Sequence, residues 1–215
     1  MSETKTSINE SQKQQATVYI VDDNVPLVKA LAKNIEQAGY KTYCFSQPLE
    51  FLNQYKNNGY QCLILDVRMP GMTGDELQQT LIRKNIHIPI IFISGFTDVP
   101  VIVDTLKNGA VDFLTKPVDK ETLLKTIDKA LLKDIENKQS KEQNQEVIDC
   151  LNNLTAREFE IMQLIVEGKL NKVIAYDLNI SINTVENHRA KIMKKMKAQT
   201  LADLIHRYRL AKDVS

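Results

Sequence analysis

Three apolar runs without polar alternation, Thr17–Val21 (TVYIV), Cys62–Asp66 (CLILD) and Ile88–Ser94 (IPIIFIS), punctuate the first half of the chain. A strand with one wet face alternates apolar and polar positions, so unbroken runs predict central strands covered on both faces. Lys41–Phe45 (KTYCF) and Asp112–Thr115 are two further strand candidates. Between the strands the spacing turns helical. Pro26–Ala38 puts Leu27, Leu31 and Ile35 on one face ahead of Gly39, and Pro48–Lys56, Asp75–Lys84 and Val99–Asn108 repeat the alternation. Asp119 then opens a long helix with an apolar face through Leu123, Leu124, Ile127, Leu131 and Ile135. Successive βα units of this kind predict a doubly wound, flavodoxin-like, five-stranded parallel sheet.

From Leu151 onward only helical spacing remains. Ala156–Glu167 is amphipathic, with Thr155 as its N-cap and Gly168 as its stop. Asn171–Leu178, a tight turn at Asn179–Ser181, a basic helix over Thr184–Lys197 and a last helix over Leu201–Ala211 complete it. A short helix, a turn and a basic helix form a helix-turn-helix signature. The stretch ENKQSKEQNQE (Glu136–Glu146) holds good helix formers and no Gly or Pro, which predicts a helical linker. The expected organisation is a disordered polar tail over 1–16, an α/β domain over 17–132, a helical linker over 133–150 and an all-α four-helix domain over 151–215.

Charge refines this division. Residues 1–132 carry 14 Lys/Arg against 15 Asp/Glu, and residues 133–150 carry 3 against 5. Residues 151–215 carry 11 against 7, so a basic end on a neutral body predicts a polyanionic partner for that end. Cys44, Cys62 and Cys150 are odd in number and lack metal-ligand spacing; Cys44 and Cys62 are expected to be buried reduced thiols. The polar N-terminus has no signal-peptide core, and no apolar run approaches a membrane span, so a cytoplasmic protein with no membrane partner is expected.

The chemistry collects at strand ends. In doubly wound sheets sites form at the carboxyl ends of the strands, where Asp22, Asp23, Asp66, Ser94 and Lys116 all fall. Carboxylates converging there repel one another, and a hard divalent cation such as Mg²⁺ relieves the repulsion beside a phosphoryl group. One carboxylate is then able to attack phosphorus, with a lysine ammonium neutralising charge and a hydroxyl binding the new oxygens.

The segments VDD (Val21–Asp23), DVRMPGMTG (Asp66–Gly74), ISG (Ile93–Gly95) and DFLTKP (Asp112–Pro117) resemble the receiver domain of two-component response regulators. That resemblance implies Asp66 as phosphoacceptor, Asp23 as a direct Mg²⁺ ligand, Asp22 acting through water and the Arg68 backbone carbonyl as a further ligand. It implies Ser94 as the phosphate-sensing hydroxyl, Lys116 as the phosphate counter-ion, and Phe113 as the aromatic that changes rotamer. A cis bond at Lys116–Pro117 is also implied. Phe96 and Thr97 follow the hydroxyl, and bulk there is expected to shield an acyl phosphate from water. An aspartate-dependent phosphatase would carry a second Asp where Arg68 stands, so no enzyme is expected.

Leu154–Met196 resembles the LuxR-type helix-turn-helix through Leu154-Thr155, Arg157-Glu158, Gly168, Asn171-Lys172, Ile174-Ala175, Ile180-Ser181, Thr184-Val185, His188 and Lys195-Met196. Together the two halves resemble a NarL/FixJ-type regulator, with RMPGMTG and NKVIAYDL closer to the FixJ side. Arg189, Lys191, Lys194, Lys195 and Lys197 suit phosphates flanking a groove, while Glu186, Asn187 and Ala190 are placed to face base edges. Arg189 is open to either a base or a phosphate. Thr184 is expected as N-cap and phosphate contact, and Lys172 as a backbone contact. Leu178, Ile180, Val185 and Ile192 are expected in the core, and His188, with no second ligand beside it, is expected to be structural. The resemblance implies a sensor histidine kinase, promoter DNA and RNA polymerase as partners, with a homodimer forming on activation. The alternative is a DNA-binding regulator whose receiver is a passive dimerisation domain.

Overall fold

The computed structural model describes residues 8–95 and 105–212. Its chain divides into two compact units, 1–137 and 138–215. In the first, β1 (Ala16–Val21), β2 (Lys41–Phe45), β3 (Tyr60–Asp66), β4 (Ile90–Ser94) and β5 (Asp112–Thr115) form one parallel sheet in the order β2-β1-β3-β4-β5. The three uninterrupted apolar runs occupy its three central places. Alternate residues of each run enter different cores. Val18, Ile20, Cys62, Ile64, Ile91 and Ile93 pack on one face with α2 (Val25–Gln37) and the receiver-side part of α5 (Lys120–Asn152). Tyr19, Val21, Leu63, Leu65, Ile90 and Phe92 pack on the other with α3 (Pro48–Gln54) and α4 (Gly74–Arg83). Burial on both faces is why these runs show no polar alternation.

The helices start where the local chemistry allows. Asn24 accepts the Leu27 N–H ahead of α2, and Thr73 forms a reciprocal capping box with Glu76 ahead of α4. Gly39, at φ +92°, turns the chain out of α2. Residues 105–107 are helical before Gly109, whereas the rest of the helix expected from Val99 lies outside the described residues. The Lys116–Pro117 bond is cis.

Two expectations are corrected. Within 1–16 the described residues are structured: α1 (Glu10–Gln14) is capped by Asn9, Ile8 is buried in the core cluster that also holds Val18 and Leu131, and the Lys13 ammonium sits 5.5 Å from the Tyr40 ring centre. A single apolar anchor holds a segment whose composition is otherwise polar. Cys44 is exposed rather than buried, because β2 is the sheet edge and α2 covers it incompletely. Across 133–150 α5 runs unbroken, with Asp134 and Ile135 buried in the first unit, Val147 and Cys150 in the second, and no residue buried from Glu136 to Glu146.

In the second unit α6 (Ala156–Val166), α7 (Asn171–Asp177), α8 (Ile182–Lys195) and α9 (Leu201–Lys212) surround Ile161, Met162, Ile165, Ile174, Val185, Ile192 and Leu204. Leu178 and Ile180 pack against this core half-buried.

One tight approach joins fold to site. A Cβ at Gly74 would meet the backbone oxygen of Asp66 at 2.3 Å and Phe92 Cε1 at 3.0 Å. Gly74→Ala is expected to lower stability by about 2 kcal/mol, as overpacking against immovable backbone does. Gly95→Ala, where nothing lies within 4 Å, is expected to change it little. Urea unfolding of the two variants measures the difference, and equal midpoints would contradict the tight approach.

Candidate functional site

The sheet order assembles the acidic rim. Val21 pairs with Leu65 across β1 and β3, so Asp22 follows β1 beside Asp66 at the end of β3. Asp22 is 2% exposed and Asp66 6%, while Asp23 faces solvent. Single carboxylate oxygens of the three lie within 4.8 Å of one another. Asp22 is held in place from its own loop, its Oδ1 accepting the Asn24 N–H at 2.8 Å.

Lys116 comes from the far side of the sheet. Its backbone N–H donates to the Ser94 carbonyl at 2.8 Å, which fixes the residue past β5 against the end of β4. Its Nζ then donates to Asp66 Oδ1 at 2.7 Å and to Asp22 Oδ2 at 2.8 Å. Burial raises the Asp66 pKa above the ordinary carboxylate value; the Lys116 hydrogen bond opposes this, and the Asp22 and Asp23 charges add to it. Burial works against the Lys116 charge as well, but the hydrogen bonds to Asp22 and Asp66 outweigh it and its pKa lies above normal. Ser94 is buried at the end of β4, and Arg68, two residues beyond Asp66, has an exposed side chain. Phe113 is half-buried against the core face containing Leu65 and Phe92. The structure thus brings Asp22, Asp23, Asp66 and Lys116 together, with Ser94 on the adjoining strand end. Phe96 and Thr97 lie outside the described residues.

The donors on this rim are carboxylate oxygens, three of them close together with one open to water. Such a set suits a hard divalent cation and excludes soft-metal chemistry. Among the described residues, Lys116 is the ammonium that hydrogen-bonds to this carboxylate cluster.

In the second unit the basic helix begins earlier than its sequence suggests. Asn179, at φ +51°, turns the chain, and Ser181 rather than Thr184 caps α8, its Oγ accepting the Thr184 N–H at 3.0 Å. Both residues carry a cap-competent hydroxyl, and the turn at Asn179 places the first of them at the helix entrance. Thr184 is therefore in the first turn. Asn183, Glu186, Asn187, Ala190, Lys191 and Lys194 are all exposed at three- and four-residue spacing, so they share one open stripe. Asn183, outside the expected contacts, joins this stripe because α8 begins at Ile182, two residues before Thr184. Lys172 on α7 is exposed as well, and Arg189 is half-buried with Nη1 3.3 Å from Asn171 Oδ1.

Lys195 and Lys197 are differently placed. Lys195 Nζ donates to Glu158 Oε2 at 2.7 Å and to the Asn153 carbonyl at 3.1 Å, and Lys197 Nζ donates to Glu146 Oε1 at 2.6 Å. The charge of Lys195 is thus matched inside the domain. The signal for this was present: Thr155 and Glu158 are spaced as a capping box, which fixes an acid at the head of α6. His188 is half-buried with Nδ1 unpartnered, and it belongs to no cluster of metal-ligand side chains among the described residues.

Glu158 makes a pH prediction. Its carboxylate is 4% exposed, and the Lys195 hydrogen bond, followed by the Thr155 N–H, holds its pKa down to about 2 from 4.5. A depressed folded-state pKa contributes stability that is complete above about 4.5 and is lost as pH falls toward 2. Glu158→Gln is expected to cost about 2 kcal/mol at neutral pH, as removal of a charge-assisted hydrogen bond does, and to flatten the acid-side loss of stability. Chemical unfolding of both proteins across pH 2–7 tests this. Parallel profiles would assign the acid sensitivity to other groups.

Residues 18–128 match the response regulator receiver domain family, and residues 152–208 match the luxR family of bacterial regulatory proteins. The chain is 41% identical over 192 residues to the response regulator protein TmoT of Ectopseudomonas mendocina, covering 89% of this chain and 87% of that one. It is 38% identical over 189 residues to the transcriptional regulatory protein FixJ of Rhizobium meliloti, covering 88% and 93%. Among solved structures, the response regulator StyR is similar at 36% identity with a TM-score of 0.82, covering 91% of this chain and 98% of that one. Full-length FixJ from B. japonicum is similar at 31% identity with a TM-score of 0.57, covering 93% and 98%. These are transcriptional regulators rather than enzymes, and the chain belongs with them: it is a two-component response regulator of the FixJ type, with a receiver domain and a LuxR-type DNA-binding domain.

Proposed function

We propose that Asp66 accepts a phosphoryl group from a sensor histidine kinase and that this controls promoter binding through the open stripe of α8. The observation that carries the reading is the bridging ammonium of Lys116 between Asp66 and Asp22, beside a third carboxylate at Asp23. In the transfer, a bond forms from an Asp66 carboxylate oxygen to phosphorus as the bond to the donor breaks. Lys116 meets the charge gathered on the phosphoryl oxygens, and the Ser94 hydroxyl at the adjoining strand end donates a hydrogen bond to them. Asp23 directly, Asp22 through water, Asp66 and the Arg68 carbonyl would hold Mg²⁺. When bound, the ion neutralises charge between the carboxylates and the incoming group.

The new charge competes for Lys116 with Asp22 and draws on Ser94, and Phe113 on β5 is the neighbouring side chain with room to change rotamer. Phe113 lines a cavity with Leu114, Pro117 and Val118, so its movement alters the surface after β5. This surface is where a homodimer forms on activation, doubling the DNA contacts. On the DNA side Glu186, Asn187 and Ala190 read base edges, with Arg189 at their border. Lys172, Thr184, Lys191 and Lys194 contact phosphates. Lys195 supports the helix through Glu158 rather than adding a free phosphate contact. Promoter-bound protein would meet RNA polymerase, and a histidine kinase and DNA as partners place the protein in the cytoplasm.

Asp66→Asn is expected to abolish labelling by a phosphodonor and the phosphodonor-dependent gain in promoter affinity, leaving basal DNA binding intact. A mobility-shift titration with and without acetyl phosphate and Mg²⁺ reads both. An undiminished response in the variant would favour the passive-receiver reading. Lys172→Ala is expected to weaken binding on all sequences and to lower the slope of log K against log salt by about 1. A slope equal to that of the unaltered protein would remove Lys172 from the phosphate contacts.

A further inference from the structure

The sheet face that carries α3 is open at the starts of β1 and β2, because α3 ends at Gln54 after seven residues. A cavity of about 420 Å³ lies there, within the size range of small-molecule sites. Thr17, which pairs with Lys41 of β2 and Gln61 of β3, lines it together with both partners. These are strand starts, at the end of the sheet opposite the acidic rim, and the cavity shares no residue with that rim.

The cavity carries charge of one sign. Lys41 and Lys56 line it, and among the described residues no Asp or Glu does. Neither ammonium has an ion pair among the described residues; Lys41 Nζ instead lies 4.9 Å from the centre of the Tyr43 ring. Both lysines act on the same phenol. A hydrogen bond from Lys41, together with its charge, lowers the Tyr43 pKa; burial opposes this, and the Lys56 charge adds to the lowering. Two ammoniums from separate elements, the edge strand and the loop after α3, thus meet at one opening with no acid between them.

The loop that carries Lys56 is held from the sheet. Gln61 is 1% exposed, and its Nε2 donates to the Lys56 carbonyl at 2.5 Å and to the Asn58 carbonyl at 3.0 Å. Tyr19 Oη donates to the same Lys56 carbonyl at 3.1 Å, and Tyr55 Oη donates to Gln61 Oε1 at 2.9 Å. These bonds fix the backbone at Lys56 ahead of any ligand, and preorganisation of this kind raises affinity. Asn53, Gln54 and Asn58 add exposed amides around the opening, with N–H groups suited to acceptor oxygens.

Each ligand property follows from a lining group. Two unpaired ammoniums call for two or more negative charges, the amide donors for acceptor oxygens, and the mainly polar walls for a hydrophilic body. We propose that this cavity binds a small hydrophilic polyanion, phosphorylated or polycarboxylate, that bridges Lys41 on β2 and Lys56 ahead of β3.

The test is amide NMR of the full-length chain at low salt, without divalent metal, titrated with pyrophosphate, citrate, acetate and glycerol. Expected are saturable shifts at 41–45 and 53–61, with one polyanion binding at least about fivefold tighter than acetate, and no effect of glycerol. The tighter of pyrophosphate and citrate identifies the oxyanion. Both lysines are exposed, so Lys41→Gln and Lys56→Gln retain the fold; each should weaken that polyanion about fivefold. It should also raise the Tm of the unaltered chain more than that of the double variant. Shifts confined to α8 and Lys172 would mark general attraction to the basic DNA-binding helix and overturn the site. No shift at 41–45 and 53–61 with any probe at about 10 mM, or affinities unchanged in both variants, would overturn it equally.

Discussion

A single ammonium group governs the acidic rim. Lys116 Nζ stands 2.7 Å from one Asp66 oxygen and 2.8 Å from one Asp22 oxygen, and Asp23 brings a third carboxylate to the same place. Two of these acids are almost fully buried, and burial first, with the Asp22 and Asp23 charges adding to it, holds the Asp66 pKa above the ordinary carboxylate value. One cation cannot neutralise three anions. An ammonium shared by Asp66 and Asp22 leaves negative charge uncompensated on the rim, and that excess is what the proposed metal and phosphoryl chemistry rests on. The sheet serves this arrangement: β1 and β3 are neighbours, so Asp22 and Asp66 meet, and the Lys116 N–H on Ser94 anchors the ammonium from β5.

The DNA-binding unit sorts its own charges by the opposite rule. Lys195 and Lys197 look like equals of Lys191 and Lys194 on a helical wheel of basic residues, yet the first two are engaged by Glu158 and Glu146. Glu158 is buried and is met by Lys195 and by the Thr155 N–H, so removing Lys195 would leave an anion without its principal partner. The stripe through Asn187, Lys191 and Lys194 keeps its charges outward, as contact with a polyanion requires.

The features legible in the sequence are those written by periodicity and by strand ends. Val18 to Val21, Cys62 to Leu65 and Ile90 to Ile93 lack alternation because both faces are covered, and that fixed them as central strands before any coordinates. Asp22, Asp66 and Lys116 were legible because ionisable groups at the ends of apolar strands need a purpose. Features decided by a single contact were not legible. Ile8 orders the segment around α1 through one buried side chain, and Cys44 is exposed through its edge position despite an apolar neighbourhood. The start of α8 turned on Asn179 adopting a left-handed conformation, a choice between two nearby hydroxyl caps that spacing leaves open.

What joins the two rules is α5. Its first part contributes Leu123, Ile127, Leu131 and Ile135 to the receiver core, and Asp134 accepts the Gln61 N–H at 2.8 Å, tying the helix to the start of β3. Its last part contributes Val147 and Cys150 to the DNA-binding core. Between Glu136 and Glu146 no residue is buried, and the helix there has no core of its own. Isolated helices of this length are marginal in water, so this stretch persists because folded structure on each side holds its ends. A change in the receiver that alters how firmly the first part is held therefore acts on a helical stretch with little stability of its own. The polar helix formers of Glu136–Glu146, without Gly or Pro, keep that stretch helical where no core supports it.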